Sequence, residues 1–216
     1  MKVMETVVLA TRSAGKLREL RPIFSTVGVR VLDLAEAGVP ETPEEADIER
    51  FDTFEENALA KARYFFDRCG GLDVVADDSG LVVDALGGEP GVRSKRWSQR
   101  ADLHGHQLDL ANNEQLATRM MGVKDRRARF VCVAAWRGTS GELIAHGEVS
   151  GRIETVASGA HGFGYDPYFF ADELGMTLAD ATVDQKRDVS HRGRAFDKLI
   201  WALRAQGALG RAGSRA

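Results

Sequence analysis

Cysteine is scarce in this 216-residue sequence: Cys69 and Cys132 are its only two, and they form neither a close pair nor a metal-ligand cluster. So few thiols exclude a disulfide framework and suit a reducing compartment. Long apolar runs are also missing, and none approaches the length of a membrane span. No signal-peptide apolar region precedes the strand-like segment that opens at Val3. These absences predict a soluble, cytoplasmic protein with no membrane partner. There is no excess of positive charge either: 29 basic residues face 32 acidic ones, a formal net charge of −3. That balance excludes a constitutive nucleic-acid coat and leaves room for a local basic pocket.

What is present centres on Val74-Val75-Ala76-Asp77-Asp78-Ser79-Gly80-Leu81. The valine-rich run predicts a buried strand that stops at two carboxylates, a hydroxyl and a glycine. Side chains alternate along a strand, so Asp77 and Asp78 should face opposite ways, one orienting backbone and the other facing a cleft. Open α/β sheets place their chemistry at such strand ends. A plain polar turn after a core strand would read the same way.

Around it, the chain alternates apolar runs with helical periodicity, the mark of an α/β fold. Val3 to Ala10 predicts a strand. Leu17, Leu20, Ile23 and Phe24 keep helical spacing after it. The turn between them, Thr11-Arg12-Ser13-Ala14-Gly15-Lys16, lies at a helix N-terminus, where free N–H groups favour an anion and Lys16 adds charge. It lacks Walker A spacing, and a turn that does no more than start a helix reads the same way. Val29 to Leu34 predicts a second strand. The acidic, proline-bearing stretch from Pro40 to Asp52, which carries Glu49, predicts a surface loop. Asp52 or Thr53 can cap a helix whose apolar face is Phe54, Ala58, Ala62 and Phe65, with Asn57 and Lys61 sharing another face.

Further on, Leu81 to Leu86 predicts a short strand, and the basic stretch from Val92 to Leu108 a flap or an exposed connection. A helix from Leu108 to Met121 would count Leu110, Leu116 and Met120 among its apolar contacts. Ala128 to Trp136 and Glu142 to Ile153 predict a hairpin. The glycines of Ser158-Gly159-Ala160-His161-Gly162-Phe163-Gly164-Tyr165-Asp166-Pro167 let backbone approach a flat ligand. Phe163 and Tyr165 offer stacking faces and Asp166 an acceptor; a nucleobase site and a structural aromatic turn both suit this. Lys186, His191 and Arg192 precede a helix with Phe196, Leu199, Ile200 and Leu203 on its buried face, and have the chemistry of an anion or purine-carbonyl clamp. Residues 207–216 read as a flexible tail. Carboxylates, lysines and no clearly placed covalent nucleophile point to hydrolysis by direct attack of water.

In order along the chain, these motifs resemble the inosine triphosphate pyrophosphatase family. The resemblance runs from about Val7 to Leu203. It rests on Ala10-Thr11 with Gly15-Lys16, Thr53-Phe54-Glu55-Glu56-Asn57-Ala58 with Lys61-Ala62, and Ala76-Asp77-Asp78-Ser79-Gly80-Leu81. It continues through Leu86-Gly87-Gly88 with Pro90-Gly91, Gly162-Phe163-Gly164-Tyr165-Asp166-Pro167, and Lys186 with Ser190-His191-Arg192-Gly193. The resemblance implies Mg²⁺-dependent cleavage of non-standard purine nucleoside triphosphates (ITP, dITP, XTP) to monophosphate and pyrophosphate. It implies Asp78 as proton acceptor and metal ligand, Glu49 as a second metal carboxylate, and Lys16, Lys61 and Lys186 on the phosphate side. Thr11 to Lys16, Asn57 and Ser79 would line the substrate site. The loop Phe163, Gly164, Tyr165 and Asp166 would hold the base, and His191 and Arg192 would read its 6-oxo group.

The implied fold is a long, twisted, mixed sheet flanked by helices, with two lobes around a nucleotide cleft in one domain spanning 1–206. The implied assembly is a homodimer. Two departures stand out: Ser13 where the family usually has asparagine, and Phe51 where it has glycine in the loop bearing Glu49. A related hydrolase with shifted substrate choice, or a purine-nucleotide binder without catalysis, are the alternatives.

Overall fold

Eleven residues, Asp73–Val83, form one unbroken strand in the computed structural model, which describes residues 5–209. This is β3, and it corrects two expectations: the strand does not stop at Asp77-Asp78, and Leu81 to Leu86 is not a separate strand. It is flanked in one seven-stranded mixed sheet by β1 (Thr6–Leu9), β2 (Arg30–Asp33), β4 (Arg127–Gly138), β5 (Gly141–Ile153), β6 (Phe169–Ala171) and β7 (Met176–Thr177). The strand order is β2-β1-β3-β4-β5-β6-β7. β1 pairs in parallel with β2 and β3, whereas β5–β6 and β6–β7 are antiparallel. Parallel neighbours need crossovers, and the helices supply them. Those that do so are α1 (Ala14–Ser25), between β1 and β2, and α2 (Phe54–Phe66), between β2 and β3; α3 (Gly105–Arg119) precedes β4, and α4 (Val183–Val189) and α5 (His191–Ala205) follow the last strand. The fold is therefore α/β with helices flanking a mixed sheet, as expected. No helix of the described residues is long and apolar enough to cross a membrane.

Two compact units divide the chain, one containing the chain up to Asp78, Cys132–Gly147 and the segment from Arg192, the other Ser79–Val131 and Glu148–His191. Within the first, strand alternation sorts the two faces of β3. Val75 joins Leu20, Ile23 and Phe24 of α1 and Phe196 and Leu199 of α5 in one core cluster. Val74 and Ala76 join Ala58, Ala62 and Phe65 of α2 in another. The second unit has its own core, in which Leu81 and Val83 meet Leu116, Phe130, Tyr165 and Phe169.

Caps explain where the helices begin. Ser13 Oγ accepts from Lys16 N–H at α1, and Thr53 from Glu56 N–H at α2. The stretch from Val92 to Leu108 is neither wholly a flap nor wholly exposed: a 3₁₀ turn over Gly91–Arg96 buries Ser94, Trp97 is buried after it, and α3 begins at Gly105. Leu110, expected in the core, is 54% exposed. Of the expected N-terminal strand, residues 3 and 4 lie outside the described residues. So do residues 210–216 of the expected tail, while Ala208 and Leu209 are buried against the α5 core.

Candidate active site

In the first unit, α2 and β3 place Asp78 under Asn57 and Lys61. Both helix residues are buried, because four positions apart on α2 they face the sheet beside Ala58 and Ala62. Asn57 Nδ2 donates to Asp78 Oδ2 at 3.0 Å. The same amide donates to Phe51 O at 3.1 Å and its Oδ1 accepts from Phe51 N–H at 2.9 Å. One side chain thus fixes both Asp78 and the loop carrying Glu49, and Phe51 is held through its backbone whatever its ring does. Lys61 Nζ donates to Asp77 O at 2.7 Å and pairs with Glu49. Burial pushes the Asp78 carboxyl up to about 6 against the charge of Lys61, with the Glu49 charge adding to the rise.

Asp77 faces the opposite way, as alternation requires. Its Oδ2 takes Lys16 Nζ at 2.9 Å and Arg192 Nε at 3.1 Å, and Arg192 Nη1 reaches on to Glu19. Burial would raise Asp77, but Lys16, Arg192 and Lys61 together outweigh it and hold the carboxyl well below its usual range. Lys16, Lys61 and Arg192 stand against Glu19, Glu49, Asp77 and Asp78: three cationic groups and four carboxylates. Such a cluster suits a further cation. Among the described residues no three His, Cys, Asp or Glu side chains enclose a metal site. Glu49 and Asp78 nevertheless fit Mg²⁺, which binds hard oxygens and commonly takes one or two carboxylates, with water and phosphate completing its shell.

The turn before α1 spends its hydroxyls internally. Thr11 Oγ1 accepts from Ser13 N–H at 3.1 Å, and Ser13 serves as the helix cap. Ala14 and Gly15 form the first turn of α1. Arg12 is tied to Glu45 at 2.6 Å and to Val39 O at 3.2 Å, which gives its guanidinium a structural post.

In the second unit, Asp166 organises the glycine-rich loop. Its Oδ2 accepts from Phe163 N–H at 2.9 Å and from Lys186 Nζ at 2.7 Å. Lys186 Nζ also lies 4.9 Å from the centre of the half-buried Phe163 ring. Lys186 is thereby tied to the glycine-rich loop, since a largely buried ammonium needs a counter-charge and Asp166 supplies it. Tyr165 is corrected as a stacking face: it is 4% exposed in the core, with its hydroxyl donating to Ser94 O at 2.8 Å. His191 is buried and stacks on Phe130, ring centres 4.8 Å apart. Ser79 follows Asp78 on β3 and is half-buried.

Arg192, which the resemblance assigns to reading the purine, is held by carboxylates in this structure. Its Nε and Nη1 serve Asp77 and Glu19, because a buried guanidinium is retained only where carboxylates meet it. Sequence reasoning missed Glu19, which sits on α1 with no motif around it. It also missed Asp109 and Asn113 of α3, which bond Gly164 on either side. Their spacing of four on a predicted helix was the available signal.

An α/β fold with a buried carboxylate–lysine cluster and a glycine-rich aromatic loop suits one class, that of nucleotide-handling hydrolases. The family is more specific. The model of the Ham1 family matches residues 7–202, and the chain belongs to that family. A relative in Burkholderia pseudomallei named dITP/XTP pyrophosphatase is 45% identical over 200 residues, covering 91% of this chain and 92% of its own. The solved Ham1 protein of Staphylococcus aureus aligns with a TM-score of 0.78 at 34% identity, covering 93% of this chain and 99% of that one. A Mycobacterium abscessus structure described as a nucleoside-triphosphatase and dITP/XTP pyrophosphatase aligns at 0.68 and 39% identity, covering 90% and 98%.

Proposed function

We propose that this protein hydrolyses non-standard purine nucleoside triphosphates (ITP, dITP and XTP) to the monophosphate and pyrophosphate, with Mg²⁺. The observation that carries the reading is Asp78: a carboxylate buried beside Lys61, anchored by Asn57, with its pKa raised to about 6. A group titrating there is poised to take a proton from water near neutral pH.

In the proposed step, water oxygen bonds to the α-phosphorus, the bond from that phosphorus to the bridging oxygen breaks, and pyrophosphate leaves. The proton lost by the water goes to a carboxylate oxygen of Asp78. Lys16 and Lys61 balance phosphate charge, and the turn from Thr11 to Lys16 and Ser79 line the phosphate and sugar end. Glu49 and Asp78 would hold the metal, which when bound neutralises phosphate charge and makes water easier to deprotonate. Asn57 keeps both carboxylates in place, and Arg192 fixes Asp77. Phe163 stacks on the base, Asp166 and Lys186 set its loop, and His191 reads the 6-oxo group. The names of the relatives support this substrate class. A homodimer in the cytoplasm belongs to the same proposal, and sedimentation would test the assembly.

The test is pyrophosphate release from ITP, XTP, dITP, GTP, ATP and dTTP in parallel, with Mg²⁺ and with a chelator, the nucleotide products being separated. Metal-dependent conversion of the inosine and xanthosine compounds to monophosphates, with little turnover of the rest, is the expected result. Diphosphate and orthophosphate as products would overturn the cleavage site. Turnover spread over ATP and dTTP would favour a hydrolase of shifted choice.

A further inference from the structure

Recognition of a purine by stacking alone does not separate hypoxanthine from guanine, since both carry a 6-oxo group and guanine adds only an exocyclic amine. Separation requires that the plane and depth of the stacked base be fixed, so that one added amine collides or goes unsatisfied. A site holds such a placement when its supporting shell is itself locked.

The loop that carries Phe163 is locked from outside by α3. Gly164, in the left-handed region at φ 62°, has both its backbone groups bonded by side chains of that one helix. Asp109 Oδ2 accepts from Gly164 N–H at 3.0 Å, and Asn113 Nδ2 donates to Gly164 O at 2.9 Å. The two are a turn apart on α3, so a rigid element grips the peptide from both sides. Asn113 is buried and Asp109 and Gly164 are half-buried, so the two bonds are partly shielded from competing water. Internal ties complete the lock: Asp166 to Phe163 N–H, and Tyr165 to Ser94 O. The same helix also holds the 3₁₀ segment below Tyr165, Asn112 bonding Ser98 N–H at 2.8 Å and Lys95 O at 3.1 Å.

We propose that Asp109 and Asn113 are positioning residues which, by holding the Gly164 peptide, set the discrimination between hypoxanthine and guanine nucleotides. The proposal rests on the reading of the Phe163 loop as the base site. Neither residue touches the reacting atoms; both act through the loop. Losing the grip should loosen the base more than the phosphates, which other elements hold.

The experiment compares kcat and KM for ITP and GTP in Asp109→Leu, Asn113→Asp and the conservative Asp109→Asn, with Kd for both nucleotides by calorimetry and thermal unfolding of each variant. Asn113→Asp keeps the volume and replaces the donor facing Gly164 O with an acceptor, so it serves where the leucine variant fails to fold. The ITP-over-GTP ratio of kcat/KM should fall about tenfold in Asp109→Leu and Asn113→Asp, through KM, as one lost bond to a buried peptide predicts. Asp109→Asn, which can still accept from Gly164 N–H, should recover the ratio to within about twofold of the unmutated protein. A purely structural role would lower the unfolding temperature and leave the ratio unmoved, and that result would overturn the proposal. A protein without turnover that still prefers ITP in binding would sink the proposed function alone, the Kd ratios of the variants then deciding the clamp. Absence of both turnover and preference would sink both.

Discussion

Asp78 and Asp77 are adjacent, alike in chemistry and both buried, yet their environments push them in opposite directions. Asp77 meets Lys16 and Arg192 and stays ionised; Asp78 meets Asn57, with Lys61 shared by Glu49, and its pKa rises to about 6. Carboxylates whose pKa values are driven apart can take separate tasks, and the proposed reaction gives Asp77 the structural one and Asp78 the chemical one. Asp78→Asn should therefore cut kcat by on the order of 10²–10⁴, the usual worth of a general base. The fold should survive, because the new amide oxygen still accepts from Asn57. In the unmutated protein, protonation of Asp78 removes the acceptor. Activity measured as kcat/KM should then fall as pH drops through about 6, shifting lower as a divalent cation is titrated in. A variant with full activity, or a flat profile from pH 5 to 8, would move the proton acceptor elsewhere. Much of this was legible in the residues: the alternation of Asp77 and Asp78 followed from strand geometry alone. Their different pKa values were not, because Lys16 and Arg192 reach Asp77 from segments 61 and 115 positions away in sequence.

At the scale of elements, β3 overrode its own local signals. Asp-Asp-Ser-Gly favours a turn when its carboxylates have only their own backbone to bond. Here Asn57, Lys16 and Arg192 satisfy them, so the ladder continues to Val83. Helix α2 behaved as its sequence promised, since capping and 3.6-residue periodicity are local properties. Thr53 caps it through a 3.2 Å bond from Glu56 N–H, and the hydroxyl donates to Glu56 in return. Thr53→Ala should lower unfolding stability by about 1 kcal/mol, measured by urea titration. It should raise KM more than it lowers kcat, because Asn57 and Lys61 sit in the first two turns of the frayed helix. No change in stability would mean that packing of Ala58, Ala62 and Phe65 sets the start of α2 without the cap.

For the molecule as a whole, the cluster around Asp78 should make stability depend on pH and, under the proposed Mg²⁺ site, on metal. The folded-state pKa of Asp78 is raised, from an ordinary 3.8 to about 6, so the folded protein holds this proton more tightly than the unfolded chain does. Its contribution is most favourable below the unfolded value and is lost as pH rises from about 4 to about 6. The loss is at most about 3 kcal/mol at 1.36 kcal/mol per pKa unit. Asp77 works in the opposite sense: its support is full above the usual carboxylate range and is lost progressively as pH falls below it. Between these limits the metal-free protein should lose stability from pH 4.5 to 7, as followed by denaturant midpoint at constant ionic strength. Millimolar Mg²⁺ should restore part of it at pH 7 and little at pH 4.5, since protonated Asp78 no longer offers a charged oxygen. Asp78→Asn should flatten the pH dependence and weaken the response to Mg²⁺ together, because one carboxylate is responsible for both. If the variant keeps the Mg²⁺ response, Glu49 must bind the cation without Asp78, and the two-carboxylate arrangement fails while the proton-acceptor role of Asp78 stands on its kinetics.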